Sequence, residues 1–176
     1  MLEGFQNLAS EELDALIATP LWITILLGGA DGKIDGEERD WSERLVYAHT
    51  YAKPHVLNPY YAIVVHDFLG KLDRTLTELP TDPAARNEAL AYKIGAVNPI
   101  LQKLDTRLGA ALYKSFVGLA AETAKASGGF LRIGAVSAAE QQWVKLPMLA
   151  PILPPKAAGN EAPVDEDEET TPEEAK

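Results

Sequence analysis

The chain contains no cysteine among its 176 residues. Disulfides and thiolate-held metals are thereby excluded, while any redox compartment stays open. Long hydrophobic runs are missing too. The most apolar stretch, Leu21 to Ala30, falls far short of the roughly 20 residues a membrane-spanning helix needs. Positive charge is scarce, with 16 Lys and Arg against 26 Asp and Glu for a net charge of −10. That balance argues against nucleic acid and against anionic membrane surfaces as direct partners. The start, Met1-Leu2-Glu3-Gly4-Phe5, lacks the basic region of a secretory signal, so a cytoplasmic protein without direct membrane insertion is expected. Catalytic signatures are missing as well. There is no Gly-rich phosphate loop, nucleophile elbow, His-Glu-x-x-His or dinucleotide fingerprint, and no enzyme is expected.

What is present divides in two. Residues 1–153 carry enough apolar side chains for one sizeable core, in a chain that is 47% hydrophobic. From Pro154 onward the composition shifts to Pro, Ala, Gly and then acids. Eight carboxylates between Glu161 and Glu174 stand against Lys156 and Lys176, so this segment holds −6 of the −10. Such a stretch buries too little to offset its chain entropy. Residues 154–176 are therefore expected to be a disordered acidic tail, either solubilising or docking a basic partner.

Apolar spacing within 1–153 is helical. Ser10-Glu11-Glu12 reads as a helix start with Ser10 as cap, and Leu13, Leu16 and Ile17 as its inward face. Thr19-Pro20 predicts the start of a second helix, apolar on all sides from Leu21 and ended by Gly28-Gly29. Another helix is expected from Asp35 to about Tyr51, with Trp41, Leu45 and Ala48 as its buried stripe. Asn58-Pro59 predicts a long helix to about Leu79, buried through Tyr61, Val64, Val65, Phe68, Leu72 and Leu76. Asp82-Pro83 begins the next, and Asn98-Pro99 is expected to break it. The segment from Pro99 to Ala126 reads as helical with an interruption at Asp105-Thr106, and Ser127-Gly128-Gly129 ends it. A last helix capped by Ser137 is expected to kink or end at Pro147, and Met148 to Leu153 to pack on the core. The three histidines, His49, His55 and His66, fit no metal-ligand spacing and read as surface or connector positions. The fold class is thus all-α, a compact bundle of six to eight helices.

One stretch stands apart. Gly29-Ala30-Asp31-Gly32-Lys33-Ile34-Asp35-Gly36-Glu37-Glu38 is an acidic turn between an apolar segment and an amphipathic one. With Asp31 set at position 5 of a calcium loop, Gly32, Ile34, Asp35 and Glu38 fall at positions 6, 8, 9 and 12. Positions 1 and 3 are then Leu27 and Gly29, which cannot ligate through side-chain oxygen. Two readings remain open. Asp35 and Glu38 form a capping box at a helix start. Alternatively Asp31, Asp35 and Glu38 offer oxygens to a divalent cation such as Ca²⁺ or Mg²⁺. A second turn resembles the first: Gly32-x-Ile34-Asp35-x-x-Glu38 aligns with Gly134-x-Val136-Ser137-x-x-Glu140, with Ile133 in place of Asp31. The pair is read as two pseudo-equivalent capped turns of which only the first has surplus acids.

An apolar helix, Ala30-Asp31-Gly32-x-Ile34-Asp35-x-x-Glu38 and an amphipathic helix, followed by a weaker second copy, together resemble the tellurite-resistance TerB-like family. The likeness spans roughly residues 20 to 150. It implies an all-α domain with clustered acids proposed to bind divalent metal, here Asp31, Asp35 and Glu38. It also implies a binding or scaffold role in stress-response complexes associated with membrane proteins. The competing expectation is a protein-interaction module without metal, whose acidic turn is only a helix cap.

Overall fold

A helix that is apolar on every side belongs at the centre of whatever it joins. The computed structural model, which describes residues 2–28, 36–51, 55–129 and 141–154, puts α1 (Ser10–Gly28) there. From Leu21 onward, Leu21, Ile23, Thr24, Ile25, Leu26, Leu27 and Gly28 are all buried. Around α1 stand α2 (Gly36–Tyr51), α3 (Asn58–Val65), α4 (Phe68–Glu78), α5 (Pro83–Gly95) and α7 (Thr106–Gly129), all of which touch it. A single 3₁₀ turn at His55–Leu57 leads into α3, and the short α6 (Asn98–Lys103) leads into α7. Among the described residues there are seven α-helices and no strand, so the bundle is all-α as the spacing predicts. None of the described helices is long and apolar enough to cross a membrane.

Helix α1 corrects the sequence reading at Thr19-Pro20, which was expected to begin a new helix. The helix instead runs through Pro20. Proline has no N–H, so the Leu16 carbonyl one turn earlier loses its partner. The Tyr60 hydroxyl replaces it, donating to Leu16 O at 2.6 Å from a fully buried position. Burial holds the Tyr60 phenol well above the ordinary tyrosine range, which keeps it a donor. Thr19 and Thr24 donate to Ala15 O and Pro20 O at 2.8 and 2.9 Å, so both hydroxyls are satisfied inside the helix. The start of α1 also differs by one position. Ser10 is already helical, and Glu12 reaches back to accept from the Ala9 amide at 3.0 Å.

The predicted long helix from Asn58 is two helices. The chain breaks at His66-Asp67, where Asp67 takes a left-handed φ of 53°. Aspartate tolerates that region better than most residues. Arg74 donates to Asp67 at 2.7 Å, and Lys71 Nζ donates to the Ile63 carbonyl at 3.3 Å near the break. The expected inward residues remain inward, with Tyr61, Val64, Phe68 and Leu72 buried and Val65 and Leu76 packed partly against the core.

Three other boundaries follow the sequence. Asp82 caps α5 by accepting from the Ala85 amide at 2.9 Å. The chain breaks between Gly95 and Asn98, and Asp105 starts α7 by accepting from Arg107 N at 2.9 Å. α6 and α7 approach so closely that a Cβ on Gly109 would lie 2.9 Å from the Leu101 carbonyl oxygen, closer than side chains tolerate. Beyond α7, residues 141–154 return to the core, as expected for Met148 to Leu153. Leu146 and Leu149 are buried, while Leu153 is exposed. Asn98 fastens this segment, donating to Met148 O and Gly95 O at 2.8 Å each and accepting from Ala150 N at 2.7 Å.

Candidate functional site

In sequence, the acidic turn follows Gly28, the last residue of α1. Gly28 lies against α7, its Cβ position 3.8 Å from Thr123 Cγ2. The first residue of α2 is Gly36. Asp31 and Asp35 themselves lie outside the described residues, and so does the Glu38 side chain on the first turn of α2. The second turn, with Ser137 and Glu140, is likewise outside them. The likeness in shape of the two turns thus stays an expectation from sequence. Among the described residues, no group of three His, Asp or Glu is arranged to hold a metal.

Helix α2 shows a face that the sequence reading assigned wrongly. Trp41 and Ala48 were expected inside, but both are exposed, Trp41 at 44%. The buried face is Ser42, Leu45, Val46 and Thr50. Turning the helix this way puts Tyr47 and Tyr51 outward with Trp41, and Tyr51 is 67% exposed. The two tyrosine rings meet edge to face with centroids 5.3 Å apart, and their hydroxyls are 3.2 Å apart. Glu43, Arg44 and Tyr47 of α2 with Val65 of α3 line a surface hollow of about 200 Å³. Arg39 ties the same helix to α4 through Asp73 at 2.6 Å.

The inward turn of α2 also carries His49, which was expected at the surface. Its side chain is only 14% exposed. The ring lies 5.0 Å from the Tyr61 ring of α3, centroid to centroid. Nε2 is 3.2 Å from Glu122 Oε2 on α7, and Nδ1 is 3.4 Å from Ser115 Oγ, also on α7. Ser115 Oγ is in turn 2.6 Å from the Tyr61 hydroxyl. A carboxylate only accepts, so the proton of a neutral His49 belongs on Nε2. Nδ1 then accepts from Ser115, and Ser115 accepts from Tyr61. The result is a single-direction chain from core to surface, Tyr61 to Ser115 to His49 to Glu122. Burial raises the Tyr61 phenol far above the ordinary tyrosine range, with Ser115 opposing it through their hydrogen bond.

A serine, a histidine and a carboxylate in line invite a hydrolytic reading. Ser115, however, stands in the middle of α7, where the surrounding amides donate to carbonyls one turn back. Those amides are not available to stabilise an oxyanion beside Ser115. The arrangement instead ties α2, α3 and α7 together. Sequence reasoning missed it because residues 49, 61, 115 and 122 share no local spacing. The signal that could have found His49 is its place four residues after buried Leu45 on one helical face. The other histidines are exposed, His66 at the end of α3 and His55 beside Asn58 at 3.3 Å.

Compared with known proteins, the chain matches no family model, no curated protein and no solved structure.

Proposed function

We propose that this is a non-enzymatic, TerB-like binding or scaffold protein whose acidic turn takes a divalent cation through Asp31, Asp35 and Glu38. The observation that supports it most is the mounting of that turn. It joins the buried end of α1 at Gly28 to the start of α2 at Gly36, so two packed helices hold its ends. In sequence Asp35 comes just before Gly36 and Glu38 two residues after it, and Asp31 would be the additional oxygen donor. A cytoplasmic place in a membrane-associated stress-response complex belongs to the same reading and rests on the family resemblance.

Calorimetric titration of the full chain with Ca²⁺, Mg²⁺, Mn²⁺ and Zn²⁺ tests it. Binding heat is expected for at least one ion, and it should be lost in Asp31→Asn and Glu38→Gln. No heat with any of the four ions would leave the turn as a helix cap. A second reading is then preferred, a protein-interaction module without metal. The exposed aromatic side chains Trp41, Tyr47 and Tyr51 of α2 favour it, because such side chains concentrate binding energy at interfaces.

A further inference from the structure

Residues 146–152 lie against α5, α6 and the start of α7, and they form neither helix nor strand. Leu146 and Leu149 point into the bundle, at 0% and 4% exposed, while Pro147 and Ala150 face solvent. Met148 lies over Gly95 of α5, and Ile152 lies over Gly109 of α7. Each comes within 3.6 Å of the place a glycine Cβ would take. Asn98 grips the main chain between them. Its amide donates to Gly95 O, which fixes the side chain, and to Met148 O, and its oxygen accepts from Ala150 N. Those bonds go to backbone alone and ask nothing of the side chains at 148 and 150. The arrangement is that of a peptide in a groove, with an amide holding the chain and two leucines three residues apart filling apolar positions.

The segment holds its place at a cost. Leu146 takes a left-handed φ of 46°, a region that leucine rarely enters. Pro147 follows it, and a proline narrows further what the residue before it can adopt. Trp143, three residues earlier, buries its indole Nε1 with no hydrogen-bond partner among the described residues. Both costs are relieved when the segment lifts off, whereas Asn98 and the apolar walls remain. We propose that residues 146–152 are an internal stand-in ligand, and that the groove between α5, α6 and α7 takes a non-helical partner segment of the same chemistry, Leu-x-x-Leu. A tethered segment acts at an effective concentration of roughly millimolar order, so it closes the groove to a weak competitor until it is displaced. This site shares no residue with the acidic turn, and the inference stands apart from the cation reading.

The probe is a fluorescein-labelled synthetic peptide of residues 142–153, titrated into the full chain and followed by fluorescence polarisation. Leu149→Ser in the full chain loosens its own segment and leaves the groove intact. It is expected to bind the peptide about tenfold more tightly than the wild type. Adding Asn98→Ala to Leu149→Ser removes the clamp and should weaken the peptide about tenfold. Equal binding by the wild type and Leu149→Ser, or none by either, would overturn the proposal. So would an affinity untouched by Asn98→Ala, since the peptide would then sit elsewhere. Should Leu149→Ser not fold, hydrogen exchange in the wild type decides. The amides of Leu149 and Ala150 are held by Leu146 O and Asn98 Oδ1. They are expected to exchange about a hundredfold faster than the buried amides of α1, because the segment opens while the bundle stays closed. Equal protection would make residues 146–152 a fixed part of the fold and end the proposal.

Discussion

Thr19-Pro20 and Asp82-Pro83 have the same local form, a good capping residue followed by proline. The first lies inside α1 and the second begins α5. At Asp82 the carboxylate turns to the Ala85 amide and the helix starts there. At Thr19 the hydroxyl turns backward to Ala15 O, and Tyr60 supplies the hydrogen bond that Pro20 withholds from Leu16. Proline ends a helix because it strands a carbonyl and crowds the preceding turn. Where a side chain from another helix serves that carbonyl, the chain continues. The deciding residue is 44 positions away in sequence.

The comparison breaks most sharply at Tyr60. Tyr60→Phe keeps the ring but leaves the Leu16 carbonyl buried without its donor, and a loss of about 2–3 kcal/mol is expected in denaturant unfolding. Pro20→Ala restores a backbone N–H to the same carbonyl. Tyr60→Phe should therefore cost clearly less in a Pro20→Ala background, and equal costs in both backgrounds would remove Tyr60 from the explanation. Next in size is Asn98→Ala. Asn98-Pro99 also pairs a capping residue with proline, but Asn98 spends its amide on Gly95, Met148 and Ala150. About 2 kcal/mol should be lost, with residues 141–154 becoming sensitive to limited proteolysis. Smallest is Asp82→Ala, an ordinary lost cap of about 1 kcal/mol, with no change expected in proteolysis of that segment.

Much of the fold was legible because it depends on short-range chemistry. Asp82 and Asp105 act within a few residues of the backbone they punctuate, so their boundaries could be read directly. The break at Asp67 was not legible, since an aspartate in the left-handed region leaves no mark on the apolar spacing around it. Helix α2 was turned wrongly for a different reason. It has two candidate apolar faces that share Leu45, and Trp41 and Ala48 look at least as suited to the interior as Ser42 and Thr50. Packing against α3 and α7 chose the smaller, more polar set, which brought His49 inward to Glu122 and Ser115. For the acidic turn, the sequence predicted the helix that follows it, which is α2.

The fastening at Asn98 bears on the order in which the molecule is completed. Leu146 and Leu149 fill their places only after the chain has travelled some fifty residues beyond the amide that secures them. During synthesis the helices up to α7 must therefore wait, with part of their apolar surface uncovered, until the stretch around Met148 emerges. In that interval the unfinished bundle offers a landing place for chaperones, and for other nascent chains.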